Sequence, residues 1–250
     1  MEKLLACAMD IGEQMVISGA EIYRVEESIS RMCTSFGASR TDVFIITSNM
    51  PATVYTEDGR SFTQTRRITS SSTDYEKLHN LNRLSRRICA EKLTEEEIRK
   101  ELDEAIHCKT YPFWLECLAY SATAGAFTLF FGGDLKELAV SLFAGLVVRL
   151  CLLLTEKTIS GRFFSKFFSA AIATVIAYVC VKLGILDDVD MVIIGNIMTL
   201  IPGVGLTNAL RDLLVGDSVS GLLRLIEAVL IAIAIAAGFF LVSVLGGFVL

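Results

Sequence analysis

PGVGLTNALRDLLVGDSVSGLLRLIEA, residues 202–228, lies between two long apolar runs and carries what those runs lack. It holds Pro202, Gly203, Gly205, Asn208, Arg211, Asp212, Asp217, Arg224 and Glu227. Hydrocarbon satisfies neither an interrupted backbone nor a bare charge. Such a stretch persists at membrane depth only where protein or a water-filled cavity surrounds it. The pattern is that of a transport site set within a membrane domain.

The rest of the chain divides around it. Of 250 residues, 53% are hydrophobic, but the first 110 hold 15 of the 23 basic and 18 of the 28 acidic side chains. The expected organisation is a hydrophilic domain over 1–110 followed by a membrane domain over 111–250. Net charge is −5 and neither part has a basic stripe, which argues against a nucleic-acid partner. Seven cysteines, with no CxxC pair and no neighbouring His spacing, give neither a zinc set nor a disulfide framework. No cofactor or metal site is legible. Cys117, Cys151 and Cys180 sit in apolar runs as small packing residues. Leu4-Leu5-Ala6-Cys7 mimics a lipoprotein cleavage box but lacks the apolar run of about 7–15 residues that should precede it. With no cleaved signal, the first domain is expected to stay in the cytoplasm.

That domain reads as α+β. Leu4, Leu5, Ala8, Ile11, Gly12, Met15 and Val16 recur at helical spacing, as do Ile22, Val25, Ile29, Met32, Cys33 and Phe36. Ser18…Glu21, Thr73…Glu76 and Thr94…Glu97 have the form of capping boxes, and Gly37 is placed to end the second helix. Val43–Thr47 predicts a short buried strand, and Asp58-Gly59 predicts a hairpin between 53–56 and 61–64. His79 and His107 have no metal spacing, and no serine sits in a nucleophile elbow, so no enzyme site emerges. Glu21, Arg24, Glu26 and Glu27 read as a wet helix face.

A spanning helix needs about 20 residues. Five segments approach that length: 113–131, 138–154, 163–183, 191–215 and 219–244, the fourth broken at Pro202–Gly205 and the fifth long enough to tilt. The fold class is therefore a membrane α-helical protein with five spans, preceded by a cytoplasmic α+β domain. Lys157, Arg162 and Lys166 mark one loop as cytoplasmic, and Arg211 and Arg224 mark another, while Asp134, Glu137, Asp187, Asp188 and Asp190 crowd the opposite side. Parity then places the first domain inside and the C-terminus outside.

Within the fourth segment, the pieces either side of the break are each too short to span. Half-helix ends offer unpaired N–H and C=O groups to a ligand. Asn196 and Thr199 precede the break; Gly203 and Gly205 relax it; Thr207, Asn208 and Arg211 follow it. These residues are the candidate substrate-binding set, with Arg211 as carboxylate partner. Arg149, inside the second span, either snorkels or joins them. A kinked helix with Arg211 as a simple end anchor is the competing reading. Arg224 and Glu227 lie i, i+3 and form a candidate ion pair or proton carrier, with Asp212 nearby. Glu116 reads as interfacial, and Asp217 as an N-cap.

SGAEIYRVEESI (18–29), TSNMPATVYTEDG (47–59), TRRI…SSTDYEKLHNLNRLSR (65–86) and PGVGLTNALRDLLVGDSVSG with the following R..EA (202–228) resemble the threonine/serine exporter (ThrE) family over nearly the whole chain. Long members fuse a hydrophilic domain to about ten spans. This chain is similar to the split form, the YjjP-like half. The resemblance implies a separate YjjB-like small membrane protein as partner, and coupling to the proton gradient, for which Glu227 is the placed acid. It implies a small carboxylate substrate: threonine or serine, or alternatively succinate. The expectation is one subunit of a two-component secondary exporter in the cytoplasmic membrane. Rivals are a membrane-anchored enzyme, a passive channel, and a structural or regulatory subunit whose partner forms the pathway.

Overall fold

Apolar residues that recur every three or four positions bury one stripe of each of the first two helices. α1 (Glu2–Ile17) buries Leu5, Ala8, Met9, Ile11, Gly12, Met15 and Val16; α2 (Ile22–Ser35) buries Ile22, Val25, Ile29, Met32 and Cys33. The two stripes meet closely, since a Cβ on Gly12 would lie 2.6 Å from Ile29 Cδ1. The computed structural model describes residues 1–108, 111–158 and 161–249, with backbone alone at 156–158 and 247–249. Residues 109–110, beside the boundary read from the sequence, and the side chain of Lys157 fall outside that description.

After α2 the chain forms an antiparallel meander of β1 (Ala38–Val43), β2 (Asn49–Thr56) and β3 (Ser61–Arg67). β2 is central and alternates, burying Met50, Ala52 and Val54. Gly59, at φ +79°, turns the hairpin, and Asp58 is held by Thr56 and Arg60. The strand expected at 43–47 lies upstream instead. Pairing with β2 fixes polar residues 38–43 as the edge strand, and the apolar run bends away, burying Ile45 and leaving Phe44 exposed. α3 (Tyr75–Glu91) and α4 (Glu95–Ile106) complete the layer, burying Leu81, Leu84, Ile88, Ile98 and Leu102.

Three capping expectations met different fates. Thr94 and Glu97 form the reciprocal box at α4. At α3 the cap is Asp74, one residue on, whose side chain accepts from the Lys77 N–H. Ser18 caps no helix start. It closes α1, donating to the Gln14 carbonyl, and Gly19 at φ +91° turns the chain, which frees Glu21 for other work.

The remaining helices are α5 (Phe113–Phe130), α6 (Leu135–Thr158), α7 (Arg162–Lys182), α8 (Asp190–Met198), α9 (Gly203–Val215) and α10 (Ser218–Val249). They follow the five apolar segments, with the fourth broken between α8 and α9. By length and hydropathy three helices can cross a membrane (α6, α7 and α10), or four if α8 and α9 count as one interrupted span. The count of five is not reached, because α5 carries Glu116, Tyr120, Ser121 and Thr123 in only 18 residues. Only 28% of the apolar window of α10 is buried, so most of that helix offers its side chains to lipid or to another chain.

Two compact units result, Met1–Lys109 with Val204–Leu225, and Thr110–Gly203 with Ile226–Leu250. The second is built on close helix approach. A Cβ on Gly195 would lie 2.8 Å from the Ala124 carbonyl, and one on Gly238 would lie 2.3 Å from the Phe167 carbonyl. Glycine is required at both for the backbones to meet. All seven cysteines are free, with Cys117 and Cys151 buried and Cys180 partly so.

Candidate functional site

The stretch 204–225 packs with the hydrophilic residues of the first unit. Asn208 Nδ2 donates to the Gly19 carbonyl at 3.3 Å. The Arg211 guanidinium pairs with Glu21, and Arg24 Nε lies 2.7 Å from the other Glu21 oxygen. Tyr23 carries both guanidiniums over its ring, each 5.8 Å from the centroid. Arg224 reaches Asp212 Oδ2 at 3.1 Å and the Ala20 carbonyl at 3.0 Å. On α10, Ser220 donates to the Ile45 carbonyl at 2.7 Å. The turn between α1 and α2 therefore supplies acceptors for three side chains of the motif, because Gly19 presents its backbone outward and Glu21 is left uncommitted to a cap.

Opposite charges alternate across this contact. Asp212 is fully buried and paired with the nearly buried Arg224, an arrangement that holds only while both partners remain. The pairing suggested by sequence, Arg224 with Glu227, does not form. Asp212, on α9, takes Arg224, and Glu227 instead accepts from Arg162 at 2.8 Å in the second unit. Asp217 precedes α10, but its Oδ2 is buried without a hydrogen-bond partner.

Glu26 faces the same junction. It accepts the Ile45 N–H at 2.9 Å, and partial burial, with Asp217 and Asp212 close by, raises its pKa to about 7. Sequence reasoning placed Glu21, Arg24 and Glu26 on a wet face. The usable signal was Gly19: a glycine after the last helical residue marks a helix end, which removes Ser18…Glu21 from capping.

The second unit holds the other candidates. Asn196 is fully buried; its Nδ2 donates to the Val192 carbonyl at 2.9 Å and its Oδ1 has no hydrogen-bond partner. Thr199 donates to the Asn196 carbonyl at 2.7 Å. Thr128 bridges Ser141 at 2.6 Å and the Met191 carbonyl at 3.3 Å, which makes a polar seam across α5, α6 and α8. Arg149 lies on α6. It pairs with Glu116, 3.1 Å from Nε, between the rings of Phe113 and Tyr120. Glu116 is thus an ion-pair partner of α6. Gly203 and Gly205 open α9, where both are exposed, as is Thr207. The structure therefore brings Asn208, Arg211, Asp212 and Arg224 together, and places Asn196, Thr199, Arg149 and Glu227 in the other unit.

A cleft between α3 and α4 is lined by Arg83, Arg87, Glu97, Lys100, Glu101 and Glu104. Arg87 there is paired with Glu91 and Glu101, so that cleft reads as a surface ion-pair network. Among the described residues no group of three or more His, Cys, Asp or Glu is arranged to hold a metal.

A family model described as "Putative threonine/serine exporter" matches residues 6–246. The chain belongs to the threonine/serine exporter family. It is 26% identical over 239 residues to a protein of Mycobacterium tuberculosis (strain ATCC 25618 / H37Rv) named "Probable threonine/serine exporter". The match covers 94% of this chain and 45% of that relative, so the chain spans less than half the relative's length. No solved structure matches the chain. Membership of an exporter family, with three or four helices able to cross a bilayer, makes this a multi-pass membrane protein.

Proposed function

We propose that this chain is part of a secondary exporter that moves small amino acids of the threonine/serine type out across the cytoplasmic membrane. The observation that carries this reading is the charge pattern of the 202–228 motif. Arg211 with Glu21 and Arg224 with Asp212 are two cation–carboxylate pairs in one place. An amino acid brings one carboxylate and one ammonium, and can exchange partners with such a pair while leaving no charge alone. A dicarboxylate such as succinate would need two cations freed of their acids. The substrate class therefore follows the relative's printed name.

The hydrophilic domain is assigned to the cytoplasm, because it packs with the Arg211 and Arg224 stretch whose charges mark the cytoplasmic side. The relative extends well beyond the region that matches. We infer that a counterpart of that further region, a separate YjjB-like membrane protein, completes the pathway. Asn196, whose buried oxygen awaits a donor, is the assigned substrate contact at membrane depth. Glu227 and Arg162 are an exchangeable pair at the start of the second unit's part of α10.

A second reading rests on a specific observation. Asn208, Arg211 and Arg224 are each bound by the hydrophilic unit's own groups, as in a regulatory latch. Efflux kinetics separate the two. Arg211→Ala and Asn208→Ala are expected to abolish threonine and serine efflux from peptide-loaded cells while membrane insertion stays normal. Weaker variants such as Arg211→Lys raise the KM if Arg211 touches substrate, and lower the maximal rate alone if it is a latch. Normal efflux by both alanine variants would remove the site assignment.

A further inference from the structure

We infer that Glu26 is a protonation-controlled latch that holds the stretch 204–225 against α2 when neutral and loosens it when ionised. The Ile45 backbone N–H goes to Glu26 on α2 and its carbonyl takes the Ser220 hydroxyl of α10, so one residue ties the two helices together. Ile45 itself is buried, which keeps water from replacing either bond.

The surroundings of Glu26 are acidic. From α9 comes Asp212 and from the turn before α10 comes Asp217, both close enough for their charge to act on it. Asp212 is fully buried. Its Oδ1 lacks an aligned hydrogen-bond donor, and its backbone neighbour is the Ile22 N–H at the start of α2. Asp217 Oδ2 is buried without a partner as well. From the turn before α2 comes Glu21, engaged by Arg24 and Arg211. From β1 and the connection after it, Glu26 receives only the Ile45 N–H, since Asp42 is turned to Arg40. The cation of the group, Arg224, is committed to Asp212 and the Ala20 carbonyl. A third ionised carboxylate is therefore repelled from this place, and a neutral one is accommodated.

The sign of the pH effect follows. The Glu26 carboxyl titrates near 7 in the packed form, above its ordinary 4.5. The packed form thus keeps a proton that an open, solvated form releases. Packing is favoured at the acid end of that window and weakens as pH rises through it towards 7. The latch sits at cytoplasmic pH. α9 and the first turns of α10 are what it holds, whatever the cargo proves to be.

The test is hydrogen exchange on the full chain in nanodiscs between pH 6 and pH 8, read as protection factors so that the intrinsic pH dependence of exchange divides out. In the wild type, protection over 204–225 is expected to fall by roughly tenfold across that range, while α3 and α4 stay constant. Glu26→Gln keeps the acceptor for Ile45 and mimics the neutral form, so its protection should stay high and flat. Asp217→Asn removes a repelling charge and should move the wild-type midpoint to lower pH, which gives a readout even if Glu26→Gln folds poorly. Protection independent of pH in the wild type, or an unshifted profile in Asp217→Asn, would overturn the latch. Neither result depends on export, so the two assignments fail separately.

Discussion

A half-buried ion pair decides much at the residue scale. Arg149 and Glu116 lie 33 positions apart and meet because α5 and α6 are hairpin neighbours. Residue numbers fall on one helix as they rise on the other: Glu116 with Arg149, Ser121 with Leu142, Thr128 with Ser141. Removing one partner leaves the other charge without its counter-ion in a low-dielectric setting. Glu116→Leu is expected to destabilise by on the order of 3 kcal/mol, and Arg149→Met/Glu116→Leu to recover most of that. Thermal unfolding in detergent checks both. If the stable double variant also exports normally, Arg149 serves structure alone. Sequence marked Arg149 as a candidate but could not name its partner, since helix pairing is absent from local periodicity. It missed Glu26 for a similar reason: a glutamate on a polar-looking face is partly buried where Ile45 and residues from beyond position 200 come close to it.

Elements were more legible than residues. Periodicity and apolar run length located ten helices among the described residues to within a few positions, while the break expected at Pro202–Gly205 falls at 199–202 and the two glycines lie inside α9. What failed were features set by pairing. The edge strand follows the register of β2 and not its own hydrophobicity, so an apolar run at 43–47 lost to a polar one at 38–43. Two element-scale predictions follow from close contacts. Gly238→Ala places a methyl 2.3 Å from the Phe167 carbonyl, and backbone cannot yield as a side chain can. Its cost is expected at about 1–3 kcal/mol, read from the unfolding midpoint. Thr94→Ala removes the half of the α4 capping box in which the Thr94 hydroxyl accepts from the Glu97 N–H, and should cost about 1 kcal/mol, with increased exchange confined to the first turn of α4. A Gly238→Ala protein as stable as wild type would contradict the close approach of α7 and α10 at this position.

At the scale of the whole molecule, hydropathy alone assigns residues 204–225 to the membrane, and tertiary contact assigns them to the hydrophilic unit. The two views meet in the physical nature of the motif. Val204, Leu206, Leu210 and Leu214 give α9 its apolar score, while Asn208, Arg211, Asp212 and Arg224 carry the specific contacts. Sequence supplied the family through these residues, but not their partners, which lie near position 20. The family, in turn, supplies the export reading, and the paired charges are the ground on which a zwitterion is proposed over a dicarboxylate. The most direct test is the intracellular concentration of threonine, serine and succinate in peptide-loaded cells, with and without this chain and its proposed membrane counterpart. The account predicts that threonine and serine accumulate when the chain is absent and fall when it is restored, with succinate unchanged. Equal threonine and serine levels in both strains, or a change in succinate alone, would contradict it.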